Sequence, residues 1–240
     1  VSAERSQAWG EVARRLAHEI KNPLTPIQLS AERLERKLTG KLDGADEAVL
    51  GKSVKTIVDQ VDAMKRLVNE FRDYARLPTA ELRPLDLNAL IREVLALYAS
   101  DPGEHALRAP VSKLLDPACP PIMGDAQQMR QVVHNLLQNA QDACEAHLPK
   151  DHPPSVTIRT EWSPLRKRVR LTVSDTGPGF ESHILQRAFE PYVTTKSKGT
   201  GLGLAVVKKI ADEHGARVDL SNVQQDGEIL GAQVSLSFTV

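Results

Sequence analysis

Several features are scarce in this sequence, and each scarcity narrows what the protein can be. Cysteine appears twice, at Cys119 and Cys144, with no CxxC pair. That argues against a disulfide framework or a cysteine zinc site and fits a reducing compartment. Charge of one sign is not in excess, since Lys plus Arg is 31 and Asp plus Glu is 31. A nucleic-acid-binding surface usually leaves a basic surplus, so no nucleic-acid partner is expected. No apolar run approaches the ~20 residues needed to span a bilayer, and no signal peptide opens the chain. The chain starts at Val1 rather than Met, and its first residues already read as helix. We therefore expect a piece of a longer protein, and the lack of a membrane segment in these 240 residues says little about the parent. Internal repeats and low-complexity tracts are also missing. What remains is an ordinary globular composition, 41% hydrophobic and 26% charged.

Periodicity divides the chain. Residues 9–38 read as one long helix with a seam at Trp9, Ala13, Leu16, Ile20, Leu24, Ile27, Ala31, Leu34 and Leu38, slipping once beside Pro23. Residues 39–46 read as a loop. A second helix, about 47–77, carries the seam Val54, Ile57, Val61, Met64, Val68, Phe71 and Ala75. Two such helices and a short loop make an antiparallel hairpin. One hairpin has too little interior to bury two seams, so a homodimeric four-helix bundle is expected. Packing of the hairpin on its own C-terminal domain is the alternative.

Leu77-Pro78 and Arg83-Pro84 mark a linker. The expected division is a hairpin over 1–78, a linker over 79–86 and a second domain over 87–240. In that domain, 87–98, 125–147, 182–189 and 203–214 read as helices, with Asp125 as an N-cap and Gly215 as a terminator. Val156–Glu161, Val169–Ser174, Arg217–Ser221 and Gln233–Val240 alternate as strands. The fold class is α+β, with helices on one face of a mixed sheet.

Two glycine clusters, Asp175-Thr-Gly-Pro-Gly179 and Lys198-Gly-Thr-Gly-Leu-Gly203, offer backbone amides for close approach to phosphates. The second opens a helix, whose N-terminus favours anions. Neither matches a P-loop or a dinucleotide fingerprint. Asn135 and Asn139 lie at i and i+4, on one face of a helix otherwise lined by Val132, Val133, Leu136, Leu137 and Ala140. Two amides there are either satisfied buried groups or oxygen ligands for Mg²⁺ beside nucleotide phosphates.

Together these pieces resemble the ATP-binding domain of sensor histidine kinases, an α/β sandwich of the superfamily that includes gyrase, Hsp90 and MutL. Gln131-Val-Val-His-Asn135-Leu-Leu-Gln-Asn139-Ala is similar to its N box, and Asp175–Gly179 to its G1 box. Phe189-Glu-Pro-Tyr192 is similar to its F box, and Gly199-Thr-Gly-Leu-Gly-Leu204 to its G2 box. The resemblance implies that Asp175 contacts the adenine amino group, with Gly177 and Gly179 beside it. It implies that Asn139, helped by Asn135, holds magnesium. Residues about 190–202, with Tyr192, Lys196, Lys198, Gly199, Thr200, Gly201 and Leu202, would lid the phosphates up to Gly203. One departure is Asp142, where many of these kinases carry a basic residue; Lys196 and Lys198 are the substitutes on hand.

His18 lies two residues from Leu16 and two from Ile20, so it projects away from the seam. Pro23 and Pro26 follow inside the helix, where each removes an amide donor; a bend just past His18 is expected. His18-Glu-Ile-Lys-Asn-Pro23 resembles the H box of the same kinases. The resemblance implies that His18 is the phosphoryl acceptor, that Glu19 takes its proton, and that Asn22 positions water for dephosphorylating a partner's phospho-aspartate. Asn22–Leu34 and Phe71-Arg-Asp-Tyr-Ala-Arg-Leu-Pro78 resemble the NtrY group of nitrogen-regulation sensor kinases. That implies a receiver-domain response regulator of the NtrX type as partner, and the cytoplasmic portion of a bacterial inner-membrane sensor protein. Two other readings compete: an ATP-hydrolysing clamp of the gyrase or Hsp90 kind, and an ATP-sensing scaffold or phosphatase.

Overall fold

A computed structural model describes residues 2–75, 79–100, 109–146, 153–191, 193 and 201–240, with side chains from Leu16 onward save those at 73, 100 and 146. The chain divides into two compact units, one built on the N-terminal helices up to Pro78 and one from Thr79 onward.

The first unit is a hairpin of α1 (Ser2–Leu38) and α2 (Gly44–Ala75). Helix α1 begins seven residues before the first seam position and runs unbroken through Pro23 and Pro26. Gly40, at φ +76°, turns the chain after α1. Asp43 caps α2, its Oδ1 accepting from the amides of Ala45 and Asp46 at 3.1 and 2.9 Å. Arg36 and Lys37 end one helix and Asp46 and Glu47 begin the next, each sign where the helix dipole favours it. Part of each expected seam is buried, and in α1 the buried line passes through Ala17, outside the expected seam, rather than through Leu16 and Ile20. Ala17, Leu24 and Ala31 pack with Val54, Val61 and Val68, both series repeating every seven residues. Leu16, Ile20, Ile27, Leu34, Ile57 and Met64 stay 39–54% exposed. Two helices share one line of contact, so one half-seam of each is covered and the other is left open.

The second unit contains β1 (Arg83–Leu85), α3 (Leu87–Ser100), β2 (Val111–Leu115), β3 (Ile122–Gly124), α4 (Ala126–Ala146), β4 (Val156–Ser163), β5 (Arg168–Asp175), α5 (Ser182–Leu185), α6 (Gly203–Glu213), β6 (Arg217–Gln225) and β7 (Glu228–Thr239). Five strands form a mixed sheet in the order β2-β4-β5-β7-β6, parallel at β2–β4 and antiparallel elsewhere. Strand β1 pairs with β3 in a separate two-stranded ribbon. Alternate sheet residues, among them Val156, Ile158, Leu171, Val173, Leu236 and Phe238, are buried. So are the apolar faces of α3, α4 and α6, led by Ile91, Met129, Val133, Leu137, Val207 and Ile210. This is the α+β architecture expected. Periodicity had not revealed β1, β2 and β3. Each has at most five residues, and β2 reads exposed at its three central positions. Helix α5 is also shorter than the expected 182–189.

Candidate functional site

Helix α4 organises the site. Asp125 starts it, its Oδ1 accepting from the amides of Gln127 and Gln128 at 2.9 and 3.1 Å. Val132, Val133, Leu136, Leu137 and Ala140 are buried in the core. That packing fixes the rotation of the helix and turns Asn135, Asn139 and Ala143, at four-residue spacing, along one side.

At Asn135 and Asn139 the neighbour is the start of α6. Asn135 Nδ2 donates to the Gly203 carbonyl at 3.4 Å. A Cβ added to Gly203 would stand 3.4 Å from Asn139 Nδ2 and 3.7 Å from its Oδ1. The second glycine cluster therefore brings a helix N-terminus against both amides. Gly201 has φ +71°, and the cap residue Leu202 is fully buried and has no side-chain acceptor for the first amides of α6. Such an end favours an anion.

At Ala143 the neighbour is the first glycine cluster. A Cβ on Gly177 would fall 2.8 Å from Ala143 Cβ and 3.0 Å from its backbone carbon. Only glycine lets the loop lie this close to α4. Asp175 Oδ1 accepts from the Gly177 amide at 2.9 Å and lies 3.4 Å from the Ala232 amide. The carboxylate is thus held at the end of β5. From Asn135 to Ala143 is two turns of helix, about 12 Å. One side of α4 runs from paired amides beside a helix N-terminus to a carboxylate beside a glycine loop. A ligand with phosphates at one end and a hydrogen-bonding base at the other fits that polarity.

A hard cation such as Mg²⁺ takes oxygen ligands and keeps several waters. Among the described residues no group of three or more His, Cys, Asp or Glu could hold a metal ion. The Asn135 and Asn139 amide oxygens beside a phosphate-favouring helix end fit such a cation without a carboxylate cage.

His134, next to Asn135, stacks on Tyr98 of α3 with ring centroids 5.9 Å apart, and its Nδ1 shares a hydrogen bond with the tyrosine hydroxyl. Burial pushes the Tyr98 phenol up to about 12. Gln138 Nε2 donates to Asp142 Oδ1 at 2.8 Å, so Asp142 is engaged along its own helix.

On α1, His18, Glu19 and Asn22 are all exposed. His18 follows buried Ala17 and is exposed, as are Leu16 and Ile20, the two positions from which its offset was taken. Tyr192, Lys196, Lys198, Gly199 and Thr200 lie outside the described residues.

Sequence reasoning missed three contributors: Ala143, Gly231 and Ala232. Ala143 could have been found by extending the Asn135–Asn139 spacing one more step. Gly231, at φ +157°, passes so close to the Asp175 carbonyl that any Cβ would overlap it. That approach joins strands remote in sequence and has no local signal.

Two family models match the chain. The His Kinase A (phospho-acceptor) domain matches residues 8–80. The histidine kinase-, DNA gyrase B-, and HSP90-like ATPase matches residues 124–239. The nitrogen regulation protein NtrY of Azorhizobium caulinodans is 39% identical over 94% of this chain and 28% of its own length. The sensory histidine kinase/phosphatase NtrB of Rhizobium meliloti is 32% identical over 87% of this chain and 54% of its own length. The chain thus spans well under two thirds of these relatives. Full-length ShkA in complex with AMPPNP superposes with a TM-score of 0.65 and 27% identity, over 95% of this chain and 45% of that one. Histidine kinase ThkA in complex with the response regulator protein TrrA gives a TM-score of 0.62 and 25% identity, over 98% of this chain and 63% of that one.

Proposed function

The chain belongs to the sensor histidine kinases that join a phospho-acceptor domain to a histidine kinase-type ATPase domain, and from that premise we propose that it transfers the γ-phosphoryl group of ATP to His18 and then to an aspartate of a response regulator. The observation that carries this reading is the side of α4 where Asn135 and Asn139 meet Gly203 and Ala143 meets Gly177.

The roles follow from chemistry. Asp175 accepts a hydrogen bond from the adenine amino group, while Gly177 and Gly179 allow the base to approach. The amides at the start of α6 face the phosphates, and Gly199, Thr200, Gly201, Leu202, Lys196, Lys198 and Tyr192 belong to the segment that covers them. Asn139 and Asn135 would hold Mg²⁺, which when bound offsets phosphate charge. A neutral His18 ring nitrogen attacks the γ-phosphorus, the bond to the ADP oxygen breaks, and Glu19 takes the proton from the other ring nitrogen. Asn22, one turn further on and equally exposed, positions a water for the reverse duty of dephosphorylating the regulator. The NtrB relative is named a kinase/phosphatase, which supports that second activity.

The hairpin over 1–78 acts as dimerisation and phosphotransfer domain and 87–240 as the ATP-binding domain; the 79–86 linker between them belongs structurally to the second unit, where β1 pairs with β3. A second copy covers the open half-seams. The ThkA–TrrA complex supports a receiver-domain partner, and the NtrY likeness supports one of NtrX type. Among the described residues no helix is long and apolar enough to cross a membrane. We take the chain as the cytoplasmic portion of a bacterial inner-membrane sensor protein.

An ATP-hydrolysing clamp is disfavoured, because Asn135 occupies the position that would need a carboxylate general base. The test is incubation with γ-labelled ATP and Mg²⁺, beside His18→Gln and Asn139→Asp. Acid-labile, alkali-stable label on the wild type and on neither variant is expected. Label that persists on His18→Gln would refute the acceptor.

A further inference from the structure

We propose that Asn222 is a positioning residue for nucleotide binding, clamping the Asp175–Gly179 loop in the geometry that receives the base; this rests on the reading of that loop as part of an ATP site. Asn222 lies on β6, opposite Ala232 of β7. Its Oδ1 accepts from the Phe180 amide at 2.7 Å, and its Nδ2 donates to the Phe180 carbonyl at 2.8 Å. One side chain thus satisfies both polar groups of a residue that belongs to no strand or helix. The clamp is tight on its other side as well. A Cβ on Gly179, which has φ +76°, would fall 3.0 Å from Asn222 Oδ1 and 2.5 Å from Ile229 Cγ2.

The loop is fixed at its start by β5 and by the bond from the Gly177 amide to Asp175. Its far end leaves Gly-Pro-Gly at Phe180, where Asn222 takes hold. Glycines lose much conformational entropy when ordered. A loop already ordered before ligand arrives does not charge that entropy against binding. Asn222 does not face the base; it acts through the loop. The Ala232 amide, beside Asp175 Oδ1, comes from the β7 residue paired with Asn222. The same strand pair therefore orients both the carboxylate and the loop exit.

The experiment compares the full chain with Asn222→Ala, measuring ATP affinity by calorimetry, autophosphorylation kinetics and amide hydrogen exchange. Loss of two backbone-directed hydrogen bonds is expected to weaken ATP binding about ten- to thirtyfold. KM for ATP should rise with the rate at saturating ATP little changed, because the clamp contributes before chemistry. Phe180 amide exchange should rise without nucleotide and recover at saturation. Gln233→Ala, which removes a bond to Ser221 on the same strand pair, should bind ATP like wild type. If Asn222→Ala loses its cooperative unfolding, Asn222→Asp keeps the shape and the acceptor for the Phe180 amide, and it too should bind more weakly. Wild-type affinity in a folded Asn222 variant, or a rate loss at saturating ATP with unchanged affinity, would overturn the proposal. Wild-type chain that binds no ATP, or Asp175→Asn that binds it normally, would instead overturn the underlying reading of the site.

Discussion

At the scale of single residues, the site depends on atoms that are not there. Gly177 admits its loop because no Cβ meets Ala143. Gly177→Ala is therefore expected to force the loop and α4 apart, costing about 1–3 kcal/mol of stability and most ATP binding. Ala143→Gly in the same chain should restore part of the affinity while costing about 1 kcal/mol of helix propensity. Calorimetry on the two single variants and the double variant measures this. No recovery in the double variant would mean that the Ala143 methyl is not what excludes a side chain at 177, and would leave Asp175 Oδ1 at 2.9 Å and the Ala143 backbone carbon at 3.0 Å as the obstacles.

Tyr98 offers a second residue-level test. Its folded phenol is raised to about 12 by burial, while an unfolded tyrosine ionises near ~10. Stability from this group is complete below ~10 and is lost as pH rises through the folded value. Tyr98 should lag an ordinary phenol in an absorbance titration of the phenolate band. Tyr98→Phe should remove the lagging component and the alkaline loss of stability with it.

At the scale of elements, α4 is set by its cap. Burial pushes the Asp125 carboxyl up, but bonds from the Gln128, Glu81 and Gln127 amides, with a nearby His214, outweigh it and leave it below the usual carboxylate range. A depressed carboxyl contributes stability above its unfolded value and loses it as pH falls through the folded one. Asp125→Ala is expected to cost about 1–2 kcal/mol near neutral pH, with the gap closing as pH drops below ~4. Denaturant titrations across that range would show it, and a gap constant with pH would assign the cost to something other than the carboxylate. Elements were legible where periodicity was long. The seams of α1 and α2, the cap at Asp125 and the stop at Gly215, at φ +61°, follow from local chemistry. Short strands were not legible, because β1 and β3 have three residues each and present no period. Strand β6 runs four residues past its expected end because pairing resumes beyond the irregularity at Val223/Gln224. The Asn222 clamp joins residues 42 apart in sequence, and no pattern within either segment announces it.

At the scale of the whole molecule, the open half-seam is where copies are expected to associate. The seam was legible as apolar spacing, but which half faces its own hairpin depends on interhelical packing. That packing buries Ala17, Leu24 and Ala31 with Val54, Val61 and Val68, and leaves Ile27 and Met64 at 47% and 46% exposure. An apolar stripe of this length in water favours a partner with the same stripe, and a two-fold pairing of identical hairpins covers both at once. Ile27→Glu with Met64→Glu places four carboxylates in the seam of a dimer, where charge is costly to bury. The paired substitution is expected to convert the chain from dimer to monomer in sedimentation experiments. ATP affinity should stay within about twofold, because both substitutions lie in the first unit and Asn135, Asn139 and Asp175 lie in the second. A chain that stays dimeric with both substitutions would place the association on another surface, and one that loses ATP binding as well would mean that the second unit depends on the hairpin for its fold.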